Sequence, residues 1–312
     1  MRTREQLDAV IKAYDVRGVV GEDIDENFVR DTGAAFAAIL REEGENTVAV
    51  GHDMRPSSPS LARAFAEGVT SQGLNVTLLG LTSTDELYYA AGSLECAGAM
   101  FTASHNPAKY NGIKLCRAGA VPVGQETGLG QIKQMLIEGT PEYTGTEGAI
   151  AEQEILAGYA DFLRKLVPLE DSKPLVVAVD AANGMGGHTV PAVFDGLPFE
   201  VRDLYFELDG TFPNHEANPL DPKNLVDLQK FTVEQKADIG LAFDGDADRC
   251  FVVDEEGQPV SPSAICALVA GRYLDKFPGA TIIHNLITSK TVPELIKEKG
   301  GTPVRTRVGH SF

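Results

Sequence analysis

Two short strings carry residue types that could do chemistry. The first is TASHNPAKYNGIK, Thr102 to Lys114, which follows the apolar stretch GAMF. The Asn106-Pro107 pair stops regular structure, so Ser104, His105 and Asn106 are expected in a turn at the end of a strand. A hydroxyl held there is either a nucleophile or phosphoryl carrier, or a turn serine bonded to its own backbone; for a lone loop serine the second role is the commoner one. Asn111-Gly112 reads as a tight turn that sends the chain back along IKLCR and brings Lys114 near Ser104. In an extended chain adjacent side chains face opposite ways, so His105 is a poor acceptor for the Ser104 proton and a Ser-His hydrolase pair is disfavoured.

The second string is DGDADR, Asp244 to Arg249, between the apolar runs ADIGLAF and CFVV. Carboxylates at every second position around a glycine repel one another unless a cation joins them. Their oxygen-only set suits a hard ion such as Mg²⁺, the plain alternative being an acidic surface turn. An EF-hand is excluded by position: Glu255 stands at the twelfth place, but Arg249 occupies the sixth, where the loop needs glycine, and strands flank it. An aspartyl-phosphatase reading with Asp244 as nucleophile leaves the serine loop and Lys114 unexplained. The GMGG run at Gly184 to Gly187 has Thr189 where a dinucleotide fingerprint requires its last glycine, and reads as a structural turn.

Three segments alternate strand, turn, helix and strand, as parallel crossover units do. One runs from Thr47 through a helix carrying Leu61, Phe65 and Val69 to Asn75–Leu79. Another runs from Pro174 to the strand near Phe199, and the last from Ala280 to the TPVRTRV segment. The cluster EGTPEYTGTEG, Glu138 to Gly148, reads as a linker, and a second break falls at Asp254 to Ser263. Three related α/β domains with mixed, mostly parallel sheets are expected: 1–145 with the serine loop, 146–258 with the acidic loop, and 259–312. The last has only about fifty residues, marginal for one core, so it is expected to be incomplete.

With 45 acidic and 27 basic side chains the net charge is -18, which argues against nucleic-acid or anionic-lipid partners and for a small-molecule enzyme. A phosphorylated substrate then requires arginine and lysine gathered locally. Cys96, Cys116, Cys250 and Cys266 show no metal spacing and lie in apolar runs, which predicts buried free thiols. No apolar run is long enough to cross a bilayer, and the protein is expected to be soluble and cytoplasmic, with no protein partner implied.

Together, IKAYDVRG (Ile11 to Gly18), TASHNPAKYNGIK, DGDADR and RVGHS (Arg307 to Ser311), with FPNHEANPL (Phe212 to Leu220) in support, resemble the α-D-phosphohexomutase family, in its phosphomannomutase/phosphoglucomutase branch. The resemblance implies an intramolecular phosphotransferase that interconverts hexose 6-phosphate and hexose 1-phosphate of mannose or glucose. It implies a phosphoserine at Ser104, one Mg²⁺ held by Asp244, Asp246, Asp248 and Ser104, and a hexose 1,6-bisphosphate intermediate. Arg249 matches the arginine beside the phosphoserine and Lys114 the general acid/base, whose pKa must then be lowered by burial and nearby cations. Tyr14, Arg17 and His105 match residues lining the site, and Lys290 and His310 residues near the sugar. A phosphoglucosamine or phosphopentose mutase is the runner-up, and a non-catalytic sugar-phosphate-binding paralogue the alternative class. Relatives continue beyond this point with a fourth domain that grips the distal phosphate, so the chain as given is expected not to complete the cycle.

Overall fold

The computed structural model describes residues 2–309, which form three α/β units in series. The first is built on a seven-stranded mixed sheet. At its centre Thr47–His52 pairs in parallel with Asn75–Leu81 on one side and with Ala97–Phe101 on the other. Alternation of side chains feeds two cores. Val48, Val50 and Phe101 join Phe36 and Phe65 beneath the helices Glu26–Glu43 and Ser58–Ser71, while Ala49 and Met100 join Leu87 and Ala90 of the helix Thr84–Ser93. A strand covered on both faces needs apolar residues throughout, and all five residues of Ala97–Phe101 are buried.

The expected turn at Asn111-Gly112 is not one. Both residues lie inside the strand Tyr110–Arg117, paired antiparallel with Val16–Val19 on one edge and with Ala97–Phe101 on the other. Asn111 uses its amide elsewhere, Nδ2 donating to Ser57 Oγ at 2.8 Å and to Ser58 Oγ at 2.9 Å. Gly112 is there for close approach, since a Cβ would come within 2.3 Å of the Val16 carbonyl oxygen. The reversal falls earlier, over residues 102–109, and Lys114 still returns opposite Met100.

The polar stretch after the helix Gly130–Glu138 has no regular structure until Ile150–Glu152, which adds to the first sheet beside Asn75–Leu81, past residue 145. Arg41 stacks over the Tyr143 ring at 4.7 Å, holding this stretch against the first unit. The second unit has a five-stranded mixed sheet in the order Pro259–Val260, Cys250–Val253, Ile239–Phe243, Leu175–Asp180, Phe199–Leu204. In the third, Thr281–Asn285 and Thr302–Thr306 pair in parallel and are backed by Pro262–Lys276 and Thr291–Glu298 around Leu274, Val292 and Ile296.

All four cysteines are free, but only Cys96 and Cys116 are buried; Cys250 and Cys266 are exposed. Cys266 lies on the helix Pro262–Lys276, whose inward face is taken by Ala267, Ala270, Gly271 and Leu274, so an apolar neighbourhood in sequence did not mean burial. No helix among the described residues is long and apolar enough to cross a membrane.

Candidate active site

Ser104 lies just past the carboxyl end of Ala97–Phe101 with φ of 52°, the left-handed region that costs a residue with a Cβ about 1–2 kcal/mol. Neighbours hold it there. Its N–H donates to Thr102 Oγ1 at 2.8 Å, and two arginines wrap the turn. Arg17 donates to the Ala103 carbonyl (3.3 Å), to Asn106 Oδ1 (2.6 Å) and to Asp15 Oδ2 (2.6 Å). Arg55, fully buried, donates to the carbonyls of Ser104 (2.9 Å), Asn106 (2.7 Å), Pro107 (2.9 Å) and Tyr110 (3.1 Å) and pairs with Asp53 at 3.2 Å.

Because Ser104 is left-handed, the alternation expected of an extended chain fails here. His105 comes round to the same side, its Nδ1 3.5 Å from Ser104 Oγ. That nitrogen accepts from Arg249 Nη2 at 2.5 Å, which places the ring proton on Nε2. Burial, with Arg249 and Arg17 nearby, pushes the His105 pKa down to about 4, so the ring is neutral near pH 7.

The acidic loop arrives from the second unit. One carboxylate oxygen each of Asp244, Asp246 and Asp248 lies within 4.8 Å of the others. Ser104 Oγ donates to Asp244 Oδ2 at 2.9 Å, and Arg249 Nη2 donates to both of those atoms. Lys114 Nζ donates to Asp246 Oδ2 (2.7 Å) and Asp248 Oδ2 (2.6 Å). Burial together with the charges of Asp246 and Asp248 raises the Asp244 pKa well above the carboxylate range. Asp246 is equally buried, yet Lys114 holds its pKa low. For Lys114 the expected direction is reversed: burial works against its charge, but Asp246 and Asp248 outweigh it and raise its pKa.

The donors fit a hard divalent cation. Three carboxylates converge, and Asp246 Oδ1 is buried with no hydrogen-bond partner among the described residues, a costly arrangement unless a ligand completes it. The competing readings lose ground. Strands Ile239–Phe243 and Cys250–Val253 flank the loop, against an EF-hand. Both Asp244 oxygens are engaged, Oδ1 by the Arg249 N–H at 3.1 Å, against a free nucleophile. In GMGG the N–H groups of Gly184, Met185 and Gly187 are spent on Ala181, Gly245 and Gly184 carbonyls, so the turn props the acidic loop.

The structure therefore brings Arg17, Ser104, His105, Lys114, Asp244, Asp246, Asp248 and Arg249 together. Tyr14 lies partly exposed beside Asp15. Lys290 is exposed at the start of Thr291–Glu298, and no hydrogen bond or ion pair among the described residues joins it to the cluster. His310 lies outside the described residues. Sequence reading missed Arg55 and Asp53; their only signal was DMRP at the carboxyl end of Thr47–His52, the sheet edge that also carries Ser104.

Residues 8–140, 157–257 and 261–312 match phosphoglucomutase/phosphomannomutase alpha/beta/alpha domains I, II and III. Over 309 residues the chain is 36% identical to a phosphomannomutase of Vibrio cholerae, an alignment covering 96% of this chain and 67% of that protein. The chain belongs to the phosphoglucomutase/phosphomannomutase family. A phosphoglucomutase of Neisseria meningitidis serogroup B is likewise 36% identical over 305 residues, covering 97% of this chain and 65% of that protein. Among solved structures, a phosphoglucomutase/phosphomannomutase family protein of Burkholderia thailandensis superposes with a TM-score of 0.91 at 32% identity, over 100% of this chain and 68% of the other. The chain thus spans about two thirds of the length of such relatives, and its three α/β domains in series are theirs.

Proposed function

We propose that the protein is a phosphohexomutase in which Ser104 carries the phosphoryl group between the C6 and C1 oxygens of a hexose phosphate, through a hexose 1,6-bisphosphate. The observation that carries the reading is the meeting of Ser104 Oγ with Asp244 Oδ2 at 2.9 Å, with Arg249 donating to both. A carrier hydroxyl from the first unit is thereby set beside the cation-binding residues of the second. A binding paralogue would not need that hydroxyl.

In this reading Asp244, Asp246, Asp248 and Ser104 would hold one Mg²⁺, which would offset the charge of the phosphoserine. The substrate oxygen attacks phosphorus in line, the bond from phosphorus to Ser104 Oγ breaks, and its electron pair stays on Oγ under the Arg249 guanidinium. Lys114 pairs with Asp246 and Asp248 as an ammonium, so it accepts the proton leaving the substrate hydroxyl only after it has given up its own proton to solvent along with those ion pairs. Neutral His105 keeps Arg249 aimed at Oγ, and Arg17 keeps the turn closed. The return transfer reverses these roles after the bisphosphate turns over. Tyr14, Lys290 and His310 are assigned to sugar binding, and the ligands are small sugar phosphates.

The test is to incubate the protein with glucose 1,6-bisphosphate labelled in its phosphates and to map the label by peptide mass. Label on Ser104 that is absent from Ser104→Ala is the expected result; an unlabelled parent protein overturns the carrier role. Coupled assays with mannose 1-phosphate and glucose 1-phosphate then rank the sugars.

A further inference from the structure

The helix Thr84–Ser93 belongs to the first unit, yet its amino end is seated on the acidic loop of the second. Thr84 N–H donates to the Asp246 carbonyl at 3.2 Å, and Thr84 Oγ1 donates to Asp246 Oδ2 at 2.6 Å. Both residues are fully buried. A hydroxyl has one proton and two lone pairs. Thr84 gives its proton to Asp246 and offers a lone pair to Lys114 Nζ at 3.4 Å, so it stands between the carboxylate and the lysine.

The frame that aims this hydroxyl is rigid. A reciprocal cap starts the helix, with Glu86 N–H donating to Ser83 Oγ at 3.2 Å and Ser83 N–H donating to Glu86 Oε2 at 2.7 Å. Branching at Cβ restricts Thr84 to few rotamers. Among the described residues the hydrogen-bond partners of the Asp246 carboxylate, Thr84 and Lys114, both bond Oδ2, while Oδ1 stays buried without a partner. Lys114 is a long, rotatable ammonium; Thr84 is fixed to its helix.

We propose that Thr84 is a positioning residue for the metal carboxylate: by holding Oδ2 of Asp246 it keeps Oδ1 turned to the divalent cation. This rests on the reading of the acidic loop as a Mg²⁺ site. It also makes metal affinity depend on the seating of the first unit on the second, because ligand and orienting hydroxyl come from different units. Removing the outer partner of a metal ligand typically weakens binding about 10–100-fold.

Mn²⁺ binding is measured by electron paramagnetic resonance, with Mg²⁺ as competitor, on the parent chain, Thr84→Val, Thr84→Ser and Asp246→Asn. Valine keeps the shape and the backbone bond and loses the hydroxyl; serine keeps the hydroxyl. The expected result is about tenfold or greater weakening in Thr84→Val, with Thr84→Ser near the parent. Parent-like affinity in Thr84→Val, while Asp246→Asn binds poorly, overturns the positioning role and leaves the Mg²⁺ site standing. Equal binding by the parent and Asp246→Asn overturns the Mg²⁺ reading and the proposal with it. Equal weakening in valine and serine variants assigns Thr84 to packing alone and also overturns the proposal. Should Thr84→Val not fold, Thr84→Ala, which also lacks the hydroxyl, is read against the same outcomes.

Discussion

Gly245 and Ser104 meet backbone to backbone: a Cβ on Gly245 would lie 2.4 Å from the Ser104 carbonyl oxygen. That carbonyl also accepts from Arg55, and the Gly245 carbonyl accepts from the Met185 N–H at 2.9 Å, so neither loop can retreat cheaply. Gly245→Ala should push Ser104 away from Asp244 and Arg249. A displacement near 1 Å at a reacting group costs on the order of 100-fold in rate. The expected outcome is that phosphoryl uptake at Ser104 from hexose 1,6-bisphosphate slows by about that factor, while circular dichroism shows both sheets intact. Uptake at the parent rate would mean that the contact does not set the geometry of transfer.

Arg55→Met should cost folding stability outright. Four carbonyls and the Asp53 carboxylate each lose a donor, those of Ser104 and Asp53 in buried positions and the other three partly buried. Breaking a buried charge pair from one side costs about 3–5 kcal/mol. Urea unfolding followed by circular dichroism should show a midpoint well below that of the parent. Arg55→Lys should fall nearly as far, since one ammonium cannot span four acceptors held by a planar fork. A midpoint unchanged in either variant would count against this role.

Legibility from sequence followed the range of the interactions. The strings TASHNP and DGDADR each sit directly after an apolar strand, so local pattern placed Ser104 and the three aspartates at strand ends, while their meeting was implied only by the family resemblance. Register was harder: Asn111-Gly112 carries the composition of a turn, yet Gly112 answers to the Val16 carbonyl on the next strand. The orientation of His105 was misjudged because no glycine or asparagine marks Ser104 as left-handed. Arg55 and Thr84 act on partners far along the chain, Thr84 and Asp246 being 162 residues apart, and no pattern within one element encodes such a bond. The direction of the Lys114 shift depended on the same long-range meeting.

The second unit should become less stable as pH rises. His215 Nε2 lies 2.9 Å from Asp180 Oδ2, and Nδ1 lies 2.9 Å from the Glu216 carbonyl, so both ring nitrogens face acceptors and the protonated ring is favoured. Although burial opposes the charge, the Asp180 bond raises the His215 pKa above its ordinary value. A pKa raised on folding contributes stability that is fully present below the unfolded value, about 6.5, and is lost as pH climbs through the higher folded value. Thermal unfolding at pH 6 and at pH 8.5 should show a drop that His215→Gln largely removes. An equal drop in parent and variant would assign the pH dependence to other groups.

Lys114→Met should separate metal binding from phosphoryl transfer. In the described structure the ammonium neutralises Asp246 and Asp248, so it competes for the same oxygens that a divalent cation would use. Without it no ammonium occupies those oxygens, and the buried carboxylates, whose charge Lys114 had favoured, are left with the cation as the partner that can neutralise them. The unpaired buried carboxylates should also lower metal-free stability by about 3–5 kcal/mol. Transfer should nevertheless fail, because losing the general acid/base removes about 10²–10⁴ in rate. Calorimetric titration with Mg²⁺ is expected to give tighter binding, and Mg²⁺ should raise the unfolding temperature of the variant by more than it raises that of the parent. Binding weakened in parallel with transfer would instead make Lys114 a support of the metal site and remove the reason to assign it the proton.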